Sequence, residues 1–266
     1  MKPNNHAGAA LALLALTCAP LTAGEVIVPQ ATAPPLAAEE SEWQFNFRPY
    51  VWFTGLEGTI GANGATAPVD MEFDDILENL DMVWSSTLEA RRGKWGVMLD
   101  FTYLKISGDT VPVFTGPPIA PYGFEVEMYL VDLVGSYRGV EWNGGFLDFT
   151  GGVRWMSIEN TINLANPAGP IGSAGASDDW FDPHVGLRLH QDLGARTYFR
   201  IFGDVGGFGV GSDITYQGLA ALGYRMNDCL SVELGYRYLK EDYDNGATFS
   251  FDAEMQGPIL GISYAW

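Results

Sequence analysis

The residues best suited to chemistry in this sequence are a histidine and an aspartate two positions apart. His184 follows Asp182, and residues i and i+2 of an extended strand share one face. A carboxylate beside an imidazole can orient it as a general base. A hydrolase would also need a nucleophile from a neighbouring strand, and no motif marks a Ser, Thr or Cys for that role. His184 and Asp182 are therefore weak catalytic candidates, and the favoured interpretation is a histidine hydrogen-bonded inside the protein.

A larger set of charged residues alternates with apolar residues. The unit Gly-apolar-Arg recurs at 152–154, 186–188, 223–225 and 235–237. Because successive side chains of a strand point to opposite faces, each unit places its arginine opposite its apolar residue. The charges predicted to share one inner face are Arg48, Glu89, Arg91, Asp100, Asp132, Arg138, Asp148, Arg154, Asp182, Arg188, Arg200, Asp204, Arg225, Glu233 and Arg237. Such a nearly balanced set favours a paired, hydrogen-bonded network in a mostly filled lumen.

The elements that must position these charges are strands, because apolar residues recur at every second position rather than three and four apart. Turn signals divide the chain into predicted strands at 43–60, 82–91, 94–107, 123–138, 143–160, 179–191, 195–208, 212–226, 229–242 and 247–266. Short connections alternate with long ones at 61–81, 108–122, 161–178 and 241–248. This pattern predicts an all-β fold, a transmembrane antiparallel up-and-down β-barrel of about ten strands, with eight or twelve as alternatives. A soluble periplasmic barrel is the other interpretation.

The ends of the chain and its charge limit where the protein works. Residues 1–23 resemble a signal peptide, residues 24–42 a flexible periplasmic lead-in, and residues 43–266 form the predicted barrel. The formal charge of −19 excludes a nucleic-acid partner, since phosphate binding needs a basic surface. Acidic runs at 178–179 and 241–244 could hold calcium or bridge to lipopolysaccharide through divalent ions, but a solvated acidic face is favoured. We predict no metal site and no cofactor.

The last strand carries a family resemblance. Pro258, Leu260, Ile262, Tyr264 and Trp266 alternate to the final aromatic residue. This pattern resembles the C-terminal strand of Gram-negative outer-membrane β-barrel proteins, and the segments 48–52 and 235–238 look like those of small uncharacterised barrels in that group. The resemblance implies a bacterial outer-membrane location, contact with membrane lipid and lipopolysaccharide, and recognition of Ile262, Tyr264 and Trp266 by the assembly machinery.

One helix is predicted in the first long connection. Phe73, Ile76, Leu77 and Leu80 fall at i, i+3, i+4 and i+7, which is helical spacing. A helix of two or three turns must pack its apolar side against something. It could rest on the outside of the barrel rim, against Trp84, or it could fold over the mouth and close it.

Three functions are compatible with this sequence. The first is a non-enzymatic barrel with a charged, mostly filled lumen and a structural or narrow-pore role. The second is a barrel hydrolase or lipid-modifying enzyme that uses His184. The third is a surface binding protein that acts through its acidic outer segments. The porin-like first function is preferred because a large open pore needs more strands than this chain can form.

Overall fold

The computed structural model describes residues 42–62, 65–108, 120–166, 169–246 and 248–266, and these form strands almost throughout. The strands are β1 Gln44–Trp52, β2 Gly55–Ala62, β3 Ala65–Met71, β4 Leu80–Arg92, β5 Trp95–Gly108, β6 Ala120–Trp142, β7 Gly145–Asn166, β8 Gly169–Asp192, β9 Thr197–Gly207, β10 Ile214–Arg225, β11 Leu230–Asp244 and β12 Phe249–Ala265. One helix, α1, spans Phe73–Glu78. The predicted signal peptide at 1–23 and nearly all of the lead-in at 24–42 lie outside the described residues.

Ten of these strands close into an antiparallel barrel, as the alternation predicts. From β4 to β12 each strand pairs with the next, and β1 joins β4 to β12. The closing ladder between β1 and β12 runs from Asn46↔Ala265 to Trp52↔Ile259. We call the end with the tight turns at 93–94, 143–144, 193–196 and 226–229 the turn end. The opposite end, which carries α1 and the β2–β3 hairpin, is the loop end.

The predicted first strand at 43–60 is wrong in one respect, because it is interrupted at Phe53 and Thr54. The pairing of β1 with β4 stops at Tyr50↔Ser85. After the break, β2 pairs with the loop-end half of β12, at residues 249–256, and β3 folds back and pairs with β2. These two strands extend the wall beyond the loop end of the barrel and are not among the ten strands that close it.

The predicted loop at 161–178 is also wrong, because β7 and β8 remain paired up to Asn166↔Gly169. The segment is rich in Gly, Ala and Ser and carries no strong apolar alternation. Its cross-strand pairing is set by the long ladder below it rather than by its own side chains. Strands β6, β7 and β8 therefore reach 23, 22 and 24 residues and project well beyond their neighbours at the loop end.

The two faces of the barrel wall are inverted relative to a soluble protein. On β10, Thr215 and Gln217 are buried, whereas Tyr216 is 40% and Leu222 61% exposed. The same alternation recurs on β7, where Arg154 is fully buried among the inner residues. Polar and charged side chains therefore face the lumen, and large apolar side chains cover the outside.

The apolar core lies inside the barrel toward the loop end. Its members share the inner faces of β1, β6, β7, β8, β11 and β12. The buried side chains in it are Trp52, Met128, Leu130, Met156, Ile158, Trp180, Leu239, Tyr243, Phe249, Phe251, Ala253, Met255 and Ile259. We call this group the lumen core. It is a packed apolar layer inside the lumen, whereas the sequence analysis predicted a charged, mostly filled lumen and named no apolar layer in it.

Helix α1 packs over the mouth and not against the outer rim. Its buried residue Ile76 joins Met71 and Ile106 in a small apolar cluster, and Ile106 shares the inner face of β5 with the buried Thr102. The predicted rim partner, Trp84, is 50% exposed.

The helix itself is shorter than predicted. It begins with a capping box between Glu72 and Asp75 and ends at Glu78. Leu80 is therefore the first residue of β4 and not part of the helix, because its backbone pairs with Ile106 of β5. Leu77 is 53% exposed, so only part of the predicted apolar stripe of the helix is buried.

Deleting residues 258–266 is expected to prevent barrel closure, because this segment pairs β12 with both β1 and β11. Heat-modifiable migration on SDS gels should disappear in the deletion variant. The control replaces residues 65–71 with a flexible linker of equal length, since the pairing of β3 is confined to β2 in the described sheet. Unchanged migration after the C-terminal deletion would contradict the closed barrel.

Candidate functional site

The candidate site is the charged part of the lumen, which lies on the turn-end side of the lumen core. The predicted inner charges lie on the inner face of the wall, and all except Asp182 and Arg225 belong to two groups. The loop-side cluster consists of Asp100, Asp132, Arg154, Asp204, Arg237 and Glu241, with Tyr50, Thr215 and Gln217. The turn-side cluster consists of Arg48, Glu89, Arg91, Arg138, Asp148, Arg188, Arg200 and Glu233. Arg225 lies apart from both, at the turn end, where it pairs with Asp192 at 2.5 Å.

Arg154 organises the loop-side cluster. Its Nε lies 3.1 Å from Asp132 Oδ1, and its Nη2 lies 3.0 Å from Asp204 Oδ1. Its Nη1 donates to Thr215 Oγ1 at 2.6 Å. The arginine side chain and that of Asp204 are fully buried. Charge-assisted bonds of this kind are the strong class of hydrogen bond, and they offset the cost of burying the guanidinium.

Arg237 extends the same cluster across the lumen. Its Nη1 donates to Asp100 Oδ2 at 3.0 Å and to the Tyr50 hydroxyl at 2.8 Å. Its Nη2 donates to Gln217 Oε1 at 3.0 Å. Gln217 in turn donates to Asp204 Oδ2 at 2.6 Å, so the amide joins the two arginine centres. The network therefore crosses from one side of the barrel to the other.

The turn-side cluster is built around two carboxylates. Asp148, fully buried, accepts hydrogen bonds from Arg91, Arg138 and Arg188 at 2.6, 3.1 and 2.7 Å. Arg138 also lies over the Phe146 ring, 3.6 Å from its centroid. This arrangement concentrates three positive charges on one acid.

Glu233 is the second centre. Arg200 donates to it at 2.8 Å and the Tyr198 hydroxyl donates at 2.8 Å. Arg48 Nε lies 3.2 Å from the same carboxylate. The Gly-apolar-Arg units and the inward acids thus meet across strands that are distant in sequence.

The structure does not bring His184 and Asp182 together as a catalytic pair. His184 is buried within the loop-side cluster, 3.6 Å from Asp132 Oδ1 and 3.9 Å from Asp204 Oδ2. Neither ring nitrogen has a hydrogen-bond partner among the described residues. Asp182 instead accepts the backbone N–H of Ser212 at 2.7 Å. The favoured expectation of a buried histidine holds, but its expected hydrogen bonds are missing.

Glu241 is the main site residue that sequence analysis missed. It was assigned to a solvated acidic segment, but it is fully buried on β11 and accepts from Thr215 Oγ1 at 2.7 Å. Its outward neighbours Lys240 and Asp242 are charged. Its carboxylate lies 3.6 Å from Arg154 Nη1. The signal that was missed is the alternation of faces along the strand. Glu241 lies four residues, an even number, after the inward Arg237, so both side chains face the lumen.

The other acidic residues of these segments are also partly engaged. Tyr243, on the inner face of β11, stacks on Trp180 with ring centroids 4.0 Å apart. Its hydroxyl donates to Asp178 at 2.8 Å. Asp179 accepts from the Trp155 indole at 3.2 Å. Within the part of the chain that the structure describes, no group of three or more His, Cys, Asp or Glu residues is arranged to hold a metal ion.

The outer surface carries two bands of aromatic residues, which we call the loop-side and turn-side girdles. Three strands contribute one residue to each girdle. The loop-side residue is given first in each pair: Tyr103 and Trp95 on β5, Tyr129 and Tyr137 on β6, and Tyr216 and Tyr224 on β10. Each pair is eight residues apart, which is about 27 Å along a strand and less along the axis of a tilted barrel. Neighbouring members touch, as Tyr103 and Tyr129 do at 4.8 Å between ring centroids.

The predicted assembly residues belong to the turn-side girdle or lie next to it. Trp266 stacks on Tyr264 at 5.6 Å and on Phe45 at 5.5 Å. Ile262 is 41% exposed on the outer face. Beyond the loop-side girdle the outward residues become charged, as with the pair Lys105 and Glu125 at 2.7 Å.

Comparison with known proteins shows a shared fold and no sequence relative. No protein-family model matches the chain, and no curated protein matches it in sequence. The outer membrane protease OmpT of Escherichia coli has a similar structure, with 9% identity, a TM-score of 0.54, and coverage of 84% of this chain and 97% of that chain. Ail of Yersinia pestis (12% identity, TM-score 0.35, coverage 86% and 100%) and OprG of Pseudomonas aeruginosa (11%, 0.35, 85% and 97%) also align.

These structural neighbours are Gram-negative outer-membrane β-barrel proteins. At such identities the likeness concerns the fold. Among the described residues, no helix has the length and apolar character to cross a membrane.

Truncating Arg154 to alanine should destabilise the folded protein by about 3–5 kcal/mol, because buried carboxylates lose their partner. Arg196→Ala is the control, since Arg196 is exposed at the turn end. Urea unfolding of both variants in detergent micelles measures the difference. Equal stability of the two variants would show that the loop-side cluster does not hold the barrel together.

Proposed function

We propose that this protein is a structural outer-membrane β-barrel with a closed lumen, neither a pore nor an enzyme. The observation that carries the proposal is the lumen core, a packed apolar layer across the lumen above two ionic clusters. Its place is the bacterial outer membrane, and its partners are the membrane lipid, lipopolysaccharide and the outer-membrane assembly machinery.

The outer surface supports the membrane location. Between the girdles it presents apolar side chains that water would not favour, such as Leu99 at 41%, Leu133 at 53% and Leu222 at 61% exposure. Membrane barrels carry an apolar band about 25 Å tall between aromatic girdles, which is close to the spacing here. A soluble barrel would put its apolar face inward.

The interior supports a closed lumen. Leu130 is 1% exposed, and Met156, Leu239 and Ala253 are fully buried. These side chains come from β6, β7, β11 and β12, so they meet from different sides of the barrel. An ion would lose its hydration shell in this layer without gaining polar partners.

The absence of enzymatic activity is part of the same proposal. His184, the best-placed candidate base, is buried beside Asp132 and Asp204, where a lipid or peptide substrate has no access. The resemblance to a protease is one of fold, and a fold does not determine activity. A surface binding role has weaker support, because Glu241 faces the lumen and Asp178 is bonded to Tyr243.

Conductance in a planar bilayer tests this function. The purified parent protein should give no current steps, with a known porin as positive control for insertion. Removal of residues 73–78 should leave the protein non-conducting, because the lumen core lies beneath α1. The double substitution Leu130→Ser with Leu239→Ser should admit water to this layer and produce current. Steady unitary steps from the parent would reject the closed lumen.

A further inference from the structure

Strand β8 has a stretch of backbone edge that no described strand covers. On one side β8 pairs with β7 as far as Asn166↔Gly169. On the other side it pairs with β9 only from His184↔Gly206 to Asp192↔Tyr198. Strands β9 and β10 end at the turn 208–213, whereas β8 continues toward the loop end. The wall steps down at this point, and we call the space on the loop-end side of the turn, beside residues 173–177 of β8, the notch.

The backbone groups of alternate residues of β8 face the notch. In β7 the carbonyl of Asn160 faces β8, because a side-chain Cβ at Gly175 would lie 2.6 Å from this oxygen. Asn160 pairs with Ala176, so the N–H and C=O groups of Ala176 face β7. Because successive residues of an antiparallel strand direct these groups to opposite sides, those of Ser173, Gly175 and Ser177 face the notch.

The same edge is occupied nearer the turn end. The N–H of Asp179 donates to the Asp178 carboxylate at 3.0 Å. A side-chain Cβ at Gly211 would lie 2.5 Å from the carbonyl oxygen of Phe181, so the turn covers that carbonyl. Within 173–177, by contrast, the edge groups have no hydrogen-bond partner among the described residues. A row of unpaired N–H and C=O groups is a template for a further strand.

The side chains beside this edge leave room for such a strand. Ser173, Gly175 and Ser177 are small and exposed. Natural edge strands are usually protected by charged side chains or by proline, and residues 173–177 contain neither. The edge is therefore sterically and electrostatically open to an added backbone.

The charge around the notch selects the kind of strand. The three segments that border the notch contain nine acidic residues and one basic residue, and they are 156–181, 206–215 and 239–256. The basic residue, Lys240, is bonded to Asp252. Three of the acids, Glu159, Asp213 and Asp244, are exposed. A segment with positive side chains is therefore attracted to the notch, and an acidic segment is repelled.

A second copy of this chain does not fit this edge. Two β8 edges can pair in antiparallel fashion only about a two-fold axis perpendicular to the strands. That axis would direct the loop ends of the two barrels to opposite sides, whereas copies inserted in one membrane share one orientation. The occupant that fits is an extended segment of another polypeptide.

We propose that residues 173–177 of β8 bind an extended, cationic polypeptide segment by strand addition. The backbone groups of Ser173, Gly175 and Ser177 supply the main-chain hydrogen bonds, and the acids around the notch attract lysine or arginine side chains of the segment. The loop end of an outer-membrane barrel faces outward from the cell, so the partner is an external protein or peptide. This role is additional to that of a closed structural barrel, and it depends on the backbone edge rather than on the acidic segments alone.

A fluorescent seven-residue peptide of alternating lysine and threonine is the probe. Its binding to the parent protein in micelles of an uncharged detergent is measured by fluorescence anisotropy. One matched peptide carries N-methyl groups on its backbone amides, and another has glutamate in place of lysine. The affinity should fall by about tenfold or more with either of them, because the first loses hydrogen-bond donors and the second loses the attraction. Absence of binding by the lysine peptide, or equal binding of the N-methylated peptide, would overturn the proposal.

Two variants locate the binding on β8. Ser177→Pro removes an N–H that faces the notch and leaves the hydrogen bonds between β7 and β8 in place, so the affinity should fall by about tenfold. Ser177→Ala keeps this N–H and should bind like the parent. Heat-modifiable migration on SDS gels shows that both variants are folded. Equal affinity of the two folded variants would overturn the proposal. A dimer of the parent that Ser177→Pro dissociates in sedimentation would also overturn it, because a second copy would then occupy the edge.

Discussion

The structure depends on neutralising charge inside a wall whose outside is apolar. An arginine buried in the lumen cannot reach bulk water, so carboxylates within the lumen must pair with it. Arg154 illustrates this, because its carboxylates lie on β6 and β9 and its hydroxyl partner lies on β10. Each such contact fixes the register and position of several strands at once. In the charged part of the lumen, these ionic clusters therefore connect strands that the lumen core does not reach.

The lumen is layered rather than uniform. From the turn end it passes from the turn-side cluster to the loop-side cluster and then to the lumen core beneath α1. Aromatic stacking of Trp180 on Tyr243 and the buried Met156 give this last layer ordinary protein packing. This layering is the basis of the closed lumen proposed above, in which the charges bind one another and the apolar layer would act as the barrier.

The sequence predicts the features that depend on local alternation. The number of barrel strands and the inward direction of residues such as Arg154 and Arg237 follow from a period of two, which each strand carries in its own residues. The sequence did not predict the features that depend on pairing between distant parts of the chain. The extension of β7 and β8 through 161–178 is imposed by the ladder below it, and the carboxylates nearest to His184 come from β6 and β9. Glu241 was missed because its acidic neighbours outweighed the parity that it shares with Arg237.

Site-directed spin labelling of the protein in lipid vesicles tests the inversion of faces most directly. Labels at Leu99, Leu133 and Leu222 report the outer surface, and a label at Ala221, on the inner face of β10, reports the lumen. The account predicts frequent collisions of the outer labels with oxygen, which concentrates in lipid, and few with a water-soluble nickel chelate. Ala221 should be shielded from both. High accessibility of the outer labels to the nickel chelate would contradict the account, because it would place the apolar face in water.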